Sequence, residues 1–137
     1  MYQDYRAAWA QLTAPDADFE VVTTNVRGVD IRTYAKAPGS LRDLWLSTAQ
    51  FADRDYLVYK DERLTYGETQ QRVASLANWS IDQGVQPGDR VAIAMRNYPE
   101  WMQAYWAITS VGAAVVGMNA WWTGPEMLYA LEDSTPK

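Results

Sequence analysis

The sequence contains neither cysteine nor histidine in 137 residues. The absence of cysteine excludes disulfides, thiolate catalysis and zinc–thiolate sites. The absence of histidine excludes a Ser-His or Cys-His catalytic pair within the chain and the usual metal sites. Basic residues are also few, with lysine only at Lys36, Lys60 and Lys137, and the net charge is -5. Because binding to nucleic acid needs clustered lysine and arginine, we predict no nucleic-acid partner.

Long apolar runs are missing too. The longest, at about residues 104–118, is interrupted by Thr109, Ser110 and Gly112, and it is shorter than the ~20 residues of a membrane-spanning helix. The first residues lack the basic end and apolar core of a signal peptide. We therefore expect a cytoplasmic protein without a membrane span.

Apolar and aromatic residues are plentiful. The chain is 48% hydrophobic and 13% aromatic, with seven tryptophans and nine tyrosines. This composition excludes a disordered tail. A chain of this length is long enough to bury roughly two-thirds of its unfolded surface in one domain.

A β-α-β-α pattern at about residues 85–133 predicts an α/β fold. Two buried strands, Val91–Met95 and Ala113–Met118, enclose a helix at Pro99–Val111. A further helix, capped by Thr123 and Glu126, should bury Met127, Leu128 and Leu131. A parallel sheet needs neighbours on both sides, so we expect an incomplete sheet whose open edge allows self-association.

Residues 1–63 are predicted to form leading helices and hairpins, and residues 64–137 the β-α-β-α portion. The predicted leading elements are a helix at Tyr2–Leu12, a hairpin of Phe19–Val26 with Val29–Tyr34, a helix at Leu41–Ala52 and a hairpin of Tyr56–Lys60 with Arg63–Thr65. The inward residues of the helix at Leu41–Ala52 should be Leu41, Leu44, Trp45 and Phe51. Thr65 and Glu68 form a capping box for the next helix. Its buried stripe should be Val73, Leu76, Ala77 and Ile81, and Gly84 should end it.

Two polar segments directly follow the predicted parallel strands, where ligands bind in open α/β sheets. One is Arg96-Asn97, in which Asn97 either contacts a ligand or caps the following helix. The other is the loop from Asn119 to Trp122. Its two adjacent tryptophans either pack beneath a neighbouring segment or line an apolar pocket.

The ordered segments LTYGE, GVQPGDRVAIAMRNYPEW, GAAVVGMNAWWTGPEM and LEDS closely resemble the N-terminal part of the adenylate-forming, AMP-binding superfamily. Within it the likeness is to acyl-CoA synthetases of the fatty-acyl type. The resemblance implies the first part of the large domain of an acid–thiol ligase. Such enzymes use ATP and Mg²⁺ to convert a fatty acid into an acyl-adenylate, and then transfer the acyl group to coenzyme A.

The family's phosphate loop, its ribose- and metal-binding residues and its C-terminal lysine have no counterpart in this sequence. The resemblance therefore implies a fragment that is inactive alone, without catalytic, cofactor-binding or metal-binding residues of its own. ATP, Mg²⁺ and coenzyme A are implied for the parent enzyme. The segment matching Asn119, Trp121 and Trp122 lies near the coenzyme A and acyl path in some members, so these residues are the candidate contacts. Gly117 stands where many members have proline, so the course of this loop does not follow from the resemblance.

Two alternatives stay open. The chain could be a non-catalytic interaction module that docks onto a complementary chain. It could also be an unrelated doubly wound nucleotide-binding domain, although the sequence lacks the glycine-rich phosphate turn of that class.

Overall fold

The computed structural model describes residues 2–137, with side chains from residue 4 onward. The chain divides into two compact units that meet in sequence between Gly39 and Ser40. The predicted division into residues 1–63 and 64–137 stays a prediction. The first unit consists of α1 (Tyr2–Leu12) and an antiparallel hairpin of β1 (Val21–Val26) and β2 (Val29–Tyr34).

The second unit contains two short sheets and four α-helices. Its elements are α2 (Leu41–Ser47), a 3₁₀ helix (Thr48–Phe51), β3 (Asp55–Tyr59), β4 (Glu62–Thr65), α3 (Tyr66–Asp82), β5 (Arg90–Ala94), α4 (Pro99–Ser110), β6 (Ala114–Met118) and α5 (Gly124–Ser134). Strands β3 and β4 form an antiparallel hairpin, as predicted. The capping box of Thr65 and Glu68 is also present. The predicted α/β fold is confirmed.

The two strands β5 and β6 pair in parallel, with Val91 opposite Val115. In the turn before β5, Gly88 has a φ of 90° and the Asp89 N–H donates to the Gln86 carbonyl, which is typical of a type II turn. Helix α4 connects the strands and covers one face of the sheet. Its Ile108 packs with Ile93 in one buried cluster. Val116, which points to the opposite face, lines a cleft with residues of α5.

A second buried cluster joins α2, α3 and α4. Trp45, Val73 and Ala107 form its centre, and each is at most 2% exposed. The Trp45 ring stacks on Trp106, with 4.9 Å between ring centroids. In the part of the chain that the structure describes, no helix is long and apolar enough to cross a membrane.

The second helix ends earlier than predicted. Regular α-helix stops at Ser47 and tightens into the 3₁₀ helix. The hydroxyls of Ser47 and Thr48 donate to the carbonyls of Leu44 and Trp45, and such bonds compete with the helical pattern. The prediction of a buried Leu41 and Leu44 was wrong, since they are 45% and 42% exposed.

Three other predicted inward positions are wrong for a shared reason. Ile81, Leu128 and Leu131 are 54%, 56% and 40% exposed. Helical spacing identifies an apolar stripe, but a stripe is buried only where another element lies over it.

Asn97 is not the N-cap of α4 either. Tyr98 holds that position with extended backbone, and Pro99 begins the helix.

The capping box of α5 makes folding depend on pH. The backbone N–H of Thr123 and its hydroxyl both donate to the Glu126 carboxylate, at 2.7 and 2.8 Å. The backbone hydrogen bond is the main cause that lowers the pKa of Glu126 below its ordinary value. The stabilising contribution is therefore present above the ordinary carboxyl pKa of about 4.3, and it is lost as pH falls through the lowered value.

We expect Glu126→Gln to lower the midpoint urea concentration of unfolding at pH 7. Between pH 5 and pH 3, this midpoint should decrease less in the variant than in the original chain. The matched control is Glu132→Gln, which removes an equal charge from the same helix. Urea unfolding followed by circular dichroism at pH 7, 5 and 3 measures both variants. Identical pH profiles for the two variants would contradict the role assigned to Glu126.

Candidate functional site

A cleft of about 520 Å³ lies at the carboxyl ends of β5 and β6. Parallel pairing places these two strand ends side by side, so the segments that follow them meet at one edge of the sheet. The lining is formed by Met95, Arg96, Asn97, Trp101 and the segment from Gly117 to Trp122. The two polar segments noted in the sequence therefore form one site.

The Arg96 guanidinium stacks on the Trp121 ring in this cleft. Its central carbon lies 4.1 Å from the ring centroid, which is within the range of a cation–π contact. Both residues reach solvent, and Trp121 is 74% exposed. The pair presents an aromatic surface and a positive charge to whatever enters the cleft. That combination suits an anionic ligand with an apolar or aromatic body.

Asn119 sets the course of the loop that carries the tryptophans. Its side-chain oxygen accepts the Trp121 N–H at 2.9 Å, and its carbonyl accepts the Trp122 N–H at 3.1 Å. This arrangement is a local turn in which the Asn side chain replaces a backbone partner. The turn directs Trp121 toward Arg96. The hydrogen bonds of Asn119 therefore help to position the exposed indole of Trp121.

Trp122 and Gly117 shape the other side of the cleft. Trp122 is half-buried and also lines a second cleft, of about 550 Å³, formed with Tyr129 and other residues of α5. A Cβ atom at Gly117 would lie 3.8 Å from the Trp101 ring, which is ordinary van der Waals distance. The packing here therefore leaves room for a Cβ atom at residue 117.

An apolar groove of about 350 Å³ adjoins the cleft and shares Asn97 and Trp101 with it. Tyr59 and Tyr98 form one wall, with their rings edge to face and 5.6 Å between centroids. Met102 completes the apolar lining. The cleft with its charged edge thus continues into an apolar groove.

The chemistry that this site offers is binding. Of its described lining residues, Arg96 alone is charged, and none is a carboxylate that could transfer a proton. The groups with lowered pKa values are carboxylates at helix caps and a turn, namely Glu68, Asp89 and Glu126. Burial raises the pKa of Tyr56, whose hydroxyl accepts from Trp106 in the core. All four of these groups lie outside the cleft.

The fit to magnesium and ATP can be judged from the donor groups present. Across the described residues, no group of three or more Asp and Glu side chains could hold a metal ion. The glycine-rich turns of phosphate-binding loops are also missing from the sequence. The residues present do not fit a magnesium–nucleotide site, so no step through these groups can be derived from this chain.

The structure brings together Asn119, Trp121 and Trp122, the three predicted contact residues. Their role in binding stays a prediction. Of the two alternatives for the tryptophans, burial under a neighbour does not apply to Trp121. Sequence reasoning missed the stacking partner. The available signal was Arg96, a basic residue placed directly after a buried strand.

The chain is similar to one protein family and to several known proteins. Residues 44–137 match the family model described as AMP-binding enzyme. A feruloyl-CoA synthase from Amycolatopsis sp is 44% identical over 71 residues, which are 52% of this chain and 14% of that protein. Pyochelin synthetase PchE from Pseudomonas aeruginosa is 33% identical over 78 residues, which are 57% of this chain and 5% of that protein.

A solved structure from Rhodopseudomonas palustris, assigned as a long-chain-fatty-acid CoA ligase, is also similar. It matches with a TM-score of 0.67 and 31% identity, over 71% of this chain and 25% of that chain. The chain therefore spans at most a quarter of the length of each of these relatives.

Proposed function

The chain belongs to the AMP-binding enzyme family, and from that premise we propose that it is the N-terminal part of an acyl-CoA synthetase. The proposed enzyme activates a carboxylic acid of the fatty-acid type with ATP. The carboxylate attacks the α-phosphorus, which gives an acyl-adenylate and releases pyrophosphate. The coenzyme A thiol then attacks the acyl carbon, so that acyl-CoA forms and AMP leaves.

This chain's share of that work is binding and positioning. We assign the cleft defined by Arg96, Asn119, Trp121 and Trp122 to the path of coenzyme A and the acyl group. Coenzyme A carries phosphates and an aromatic base, which match a guanidinium and an exposed indole. The stacked Arg96 and Trp121 are the observation on which this assignment rests.

Two findings support the choice of a coenzyme A ligase. The feruloyl-CoA synthase has the higher identity of the two curated relatives described above. The apolar groove beside the cleft could also receive a hydrocarbon chain. We further propose that the chain alone does not turn over substrate, because its cleft has binding groups without proton-transfer groups.

The test uses the purified chain with coenzyme A, and then with ATP, Mg²⁺, a panel of fatty acids and coenzyme A. We expect coenzyme A to change tryptophan fluorescence and Trp121→Ala to weaken its binding at least about fivefold, as loss of stacking worth about 1 kcal/mol would. The control is Trp79→Ala, which removes another exposed tryptophan, 58% exposed, outside the cleft. We expect no pyrophosphate release by the chain alone.

Coenzyme A binding and pyrophosphate release test separate parts of the proposal. Equal affinities for the original chain and Trp121→Ala would remove coenzyme A from the cleft. Pyrophosphate release by these 137 residues would overturn the proposal that the chain is inactive alone. A stable complex with a separate protein, without coenzyme A binding, would favour the alternative of a non-catalytic docking module.

A second candidate is the adenylating part of a peptide-type synthetase. The observation that favours it is the similarity to pyochelin synthetase PchE. In that case the acceptor of the acyl group would not be free coenzyme A. The fluorescence titration separates the two candidates, because only the coenzyme A ligase requires the free cofactor to bind in the cleft.

A further inference from the structure

A third cleft, of about 470 Å³, lies along one side of α3. Its lining residues on α3 recur every three or four positions from residue 70 to residue 81, so they form one stripe along the helix. At ~1.5 Å per residue, this stripe is about 16 Å long. The walls include Arg42 and Leu46 of α2, Val111 after α4 and Pro87 of the turn before β5. We call this feature the α3 cleft.

The α3 cleft is separate from the candidate functional site. It shares no lining residue with the cleft of Arg96 and Trp121 or with the apolar groove beside that cleft. Gln86 and Pro87 line the α3 cleft and precede β5, so it lies near the end of the sheet where β5 begins. The candidate site lies where β5 ends. The two sites are therefore at opposite ends of this strand.

The floor of the α3 cleft is apolar and is formed by core residues. Trp45 and Val73 line it, and each is 2% exposed because it belongs to the buried cluster of α2, α3 and α4. The Gln70 side-chain amide connects α3 to α2, since it donates to the Trp45 carbonyl at 3.2 Å and to the Thr48 hydroxyl at 3.0 Å. A pre-formed, mostly apolar cleft of this size is typical of a small-molecule site.

Arg42 is the one charged residue among the described residues that line the α3 cleft. Thr48 contacts Gln70 and Trp45 packs with Val73, so α2 and α3 run antiparallel. Arg42, one turn nearer the start of α2, therefore lies beside the later turns of α3. Within the described part of the chain, no carboxylate forms a salt bridge with Arg42.

Three carboxylates are close to lining residues in the sequence, and none of them lines the α3 cleft. Asp43 accepts a hydrogen bond from the Ser40 hydroxyl at 2.7 Å, and Asp89 lies 3.3 Å from the Lys137 ammonium. Asp82 is the last residue of α3. The charge that faces the cleft is therefore that of one guanidinium, a group that binds a carboxylate through two parallel hydrogen bonds.

We propose that the α3 cleft is a second binding site and that its ligand is a fatty acid. Arg42 binds the carboxylate, and the apolar floor along α3 receives the hydrocarbon chain. One positive charge beside a long apolar surface matches a ligand with one carboxylate, whereas a polyphosphate needs several cations. This proposal does not rest on the proposed function, because the α3 cleft lies apart from the candidate site.

The test titrates the full chain with octanoate and, separately, with 1-octanol, which has the same chain length without the charge. Binding is followed by the NMR signals of the Ala77 and Val85 methyl groups, which line the α3 cleft. We expect both ligands to shift these signals. Arg42→Gln should weaken octanoate binding about fivefold, through loss of the charge-assisted contact, and should change 1-octanol binding less than about twofold.

Two further variants serve as controls. Arg72→Gln removes an equal charge from α3 outside the cleft, where Arg72 lies near Glu68, and it should leave both affinities unchanged. Ala74→Phe adds a ring inside the cleft at an exposed position, and it should weaken the binding of both ligands.

The proposal is rejected if octanoate leaves the Ala77 and Val85 signals unshifted. Equal losses of octanoate and 1-octanol binding in Arg42→Gln would remove the carboxylate partner, and with it the assignment to a fatty acid. Shifts confined to the Met102 methyl group would place octanoate in the apolar groove instead. Shifts of the Ala77 and Val85 signals on dilution of the chain alone would assign the cleft to a second copy.

The proposed function has a different readout, because coenzyme A binding is followed by tryptophan fluorescence and by Trp121→Ala. Failure of that titration would leave octanoate binding in the α3 cleft unchanged. Failure of the octanoate titration would likewise leave the coenzyme A result unchanged.

Discussion

Replacing Trp45 by alanine is expected to lower the free energy of unfolding by about 3–5 kcal/mol, the range for removal of a large aromatic side chain from a core. Trp45 is 2% exposed. Its ring contacts Trp106 and also Tyr56, whose ring centroid lies 5.3 Å away. The substitution removes these contacts together and leaves a cavity where α2, α3 and α4 meet. Urea unfolding followed by circular dichroism measures the loss.

The control for this prediction is Trp79→Ala. Trp79 lies on α3 and is 58% exposed, so we expect its replacement to change stability by less than about 1 kcal/mol. The same side chain is removed in both variants, and the difference reports burial. Similar losses in the two variants would show that Trp45 does not hold the helices together as the structure indicates.

Gly112→Ala is expected to cost about 2–3 kcal/mol. Gly112 has a φ of 83°, where a residue with a Cβ atom is strained by roughly 1–2 kcal/mol. The added Cβ atom would also lie 3.2 Å from the Pro87 Cβ. That distance requires the turn before β5 to move. The Gly112 carbonyl accepts the Gly88 N–H, so this movement would also disturb the entry into the parallel sheet.

Gly88→Ala separates the two causes. Gly88 has a φ of 90°, and a Cβ atom there meets nothing within 4 Å. Its replacement therefore introduces the backbone strain without the collision, and we expect a loss of about 1–2 kcal/mol. Thermal and urea unfolding of both variants give the comparison. A loss for Gly112→Ala no larger than that for Gly88→Ala would remove the contact with Pro87 from the explanation.

Local signals in the sequence predicted the elements well. Residue spacing predicts the capping boxes of Thr65 with Glu68 and of Thr123 with Glu126, and both are present. The parallel strands could be predicted because a strand buried on both faces is a continuous apolar run. Each of these signals depends on residues a few positions apart. Such patterns arise from local backbone geometry and do not depend on distant parts of the chain.

Burial was predicted less well. The helical stripe that included Val73 also included Ile81, yet Val73 is 2% and Ile81 54% exposed. Both positions satisfy the same spacing. Val73 packs with Trp45 and Ala107 in the buried cluster, whereas Ile81, near the end of α3, lines an open cleft. Spacing along a helix cannot report which of its turns another element reaches.

By itself, the sequence determined the α/β fold, the order and approximate limits of its helices and strands, and the membership of the AMP-binding family. It also placed Asn119, Trp121 and Trp122 directly after a strand. Only the tertiary structure decided that Arg96 stacks on Trp121 and that the Lys137 N–H donates to the Arg90 carbonyl. Both contacts join residues far apart in the chain, and their geometry depends on how the strands and helices pack. No spacing in the sequence encodes that packing directly.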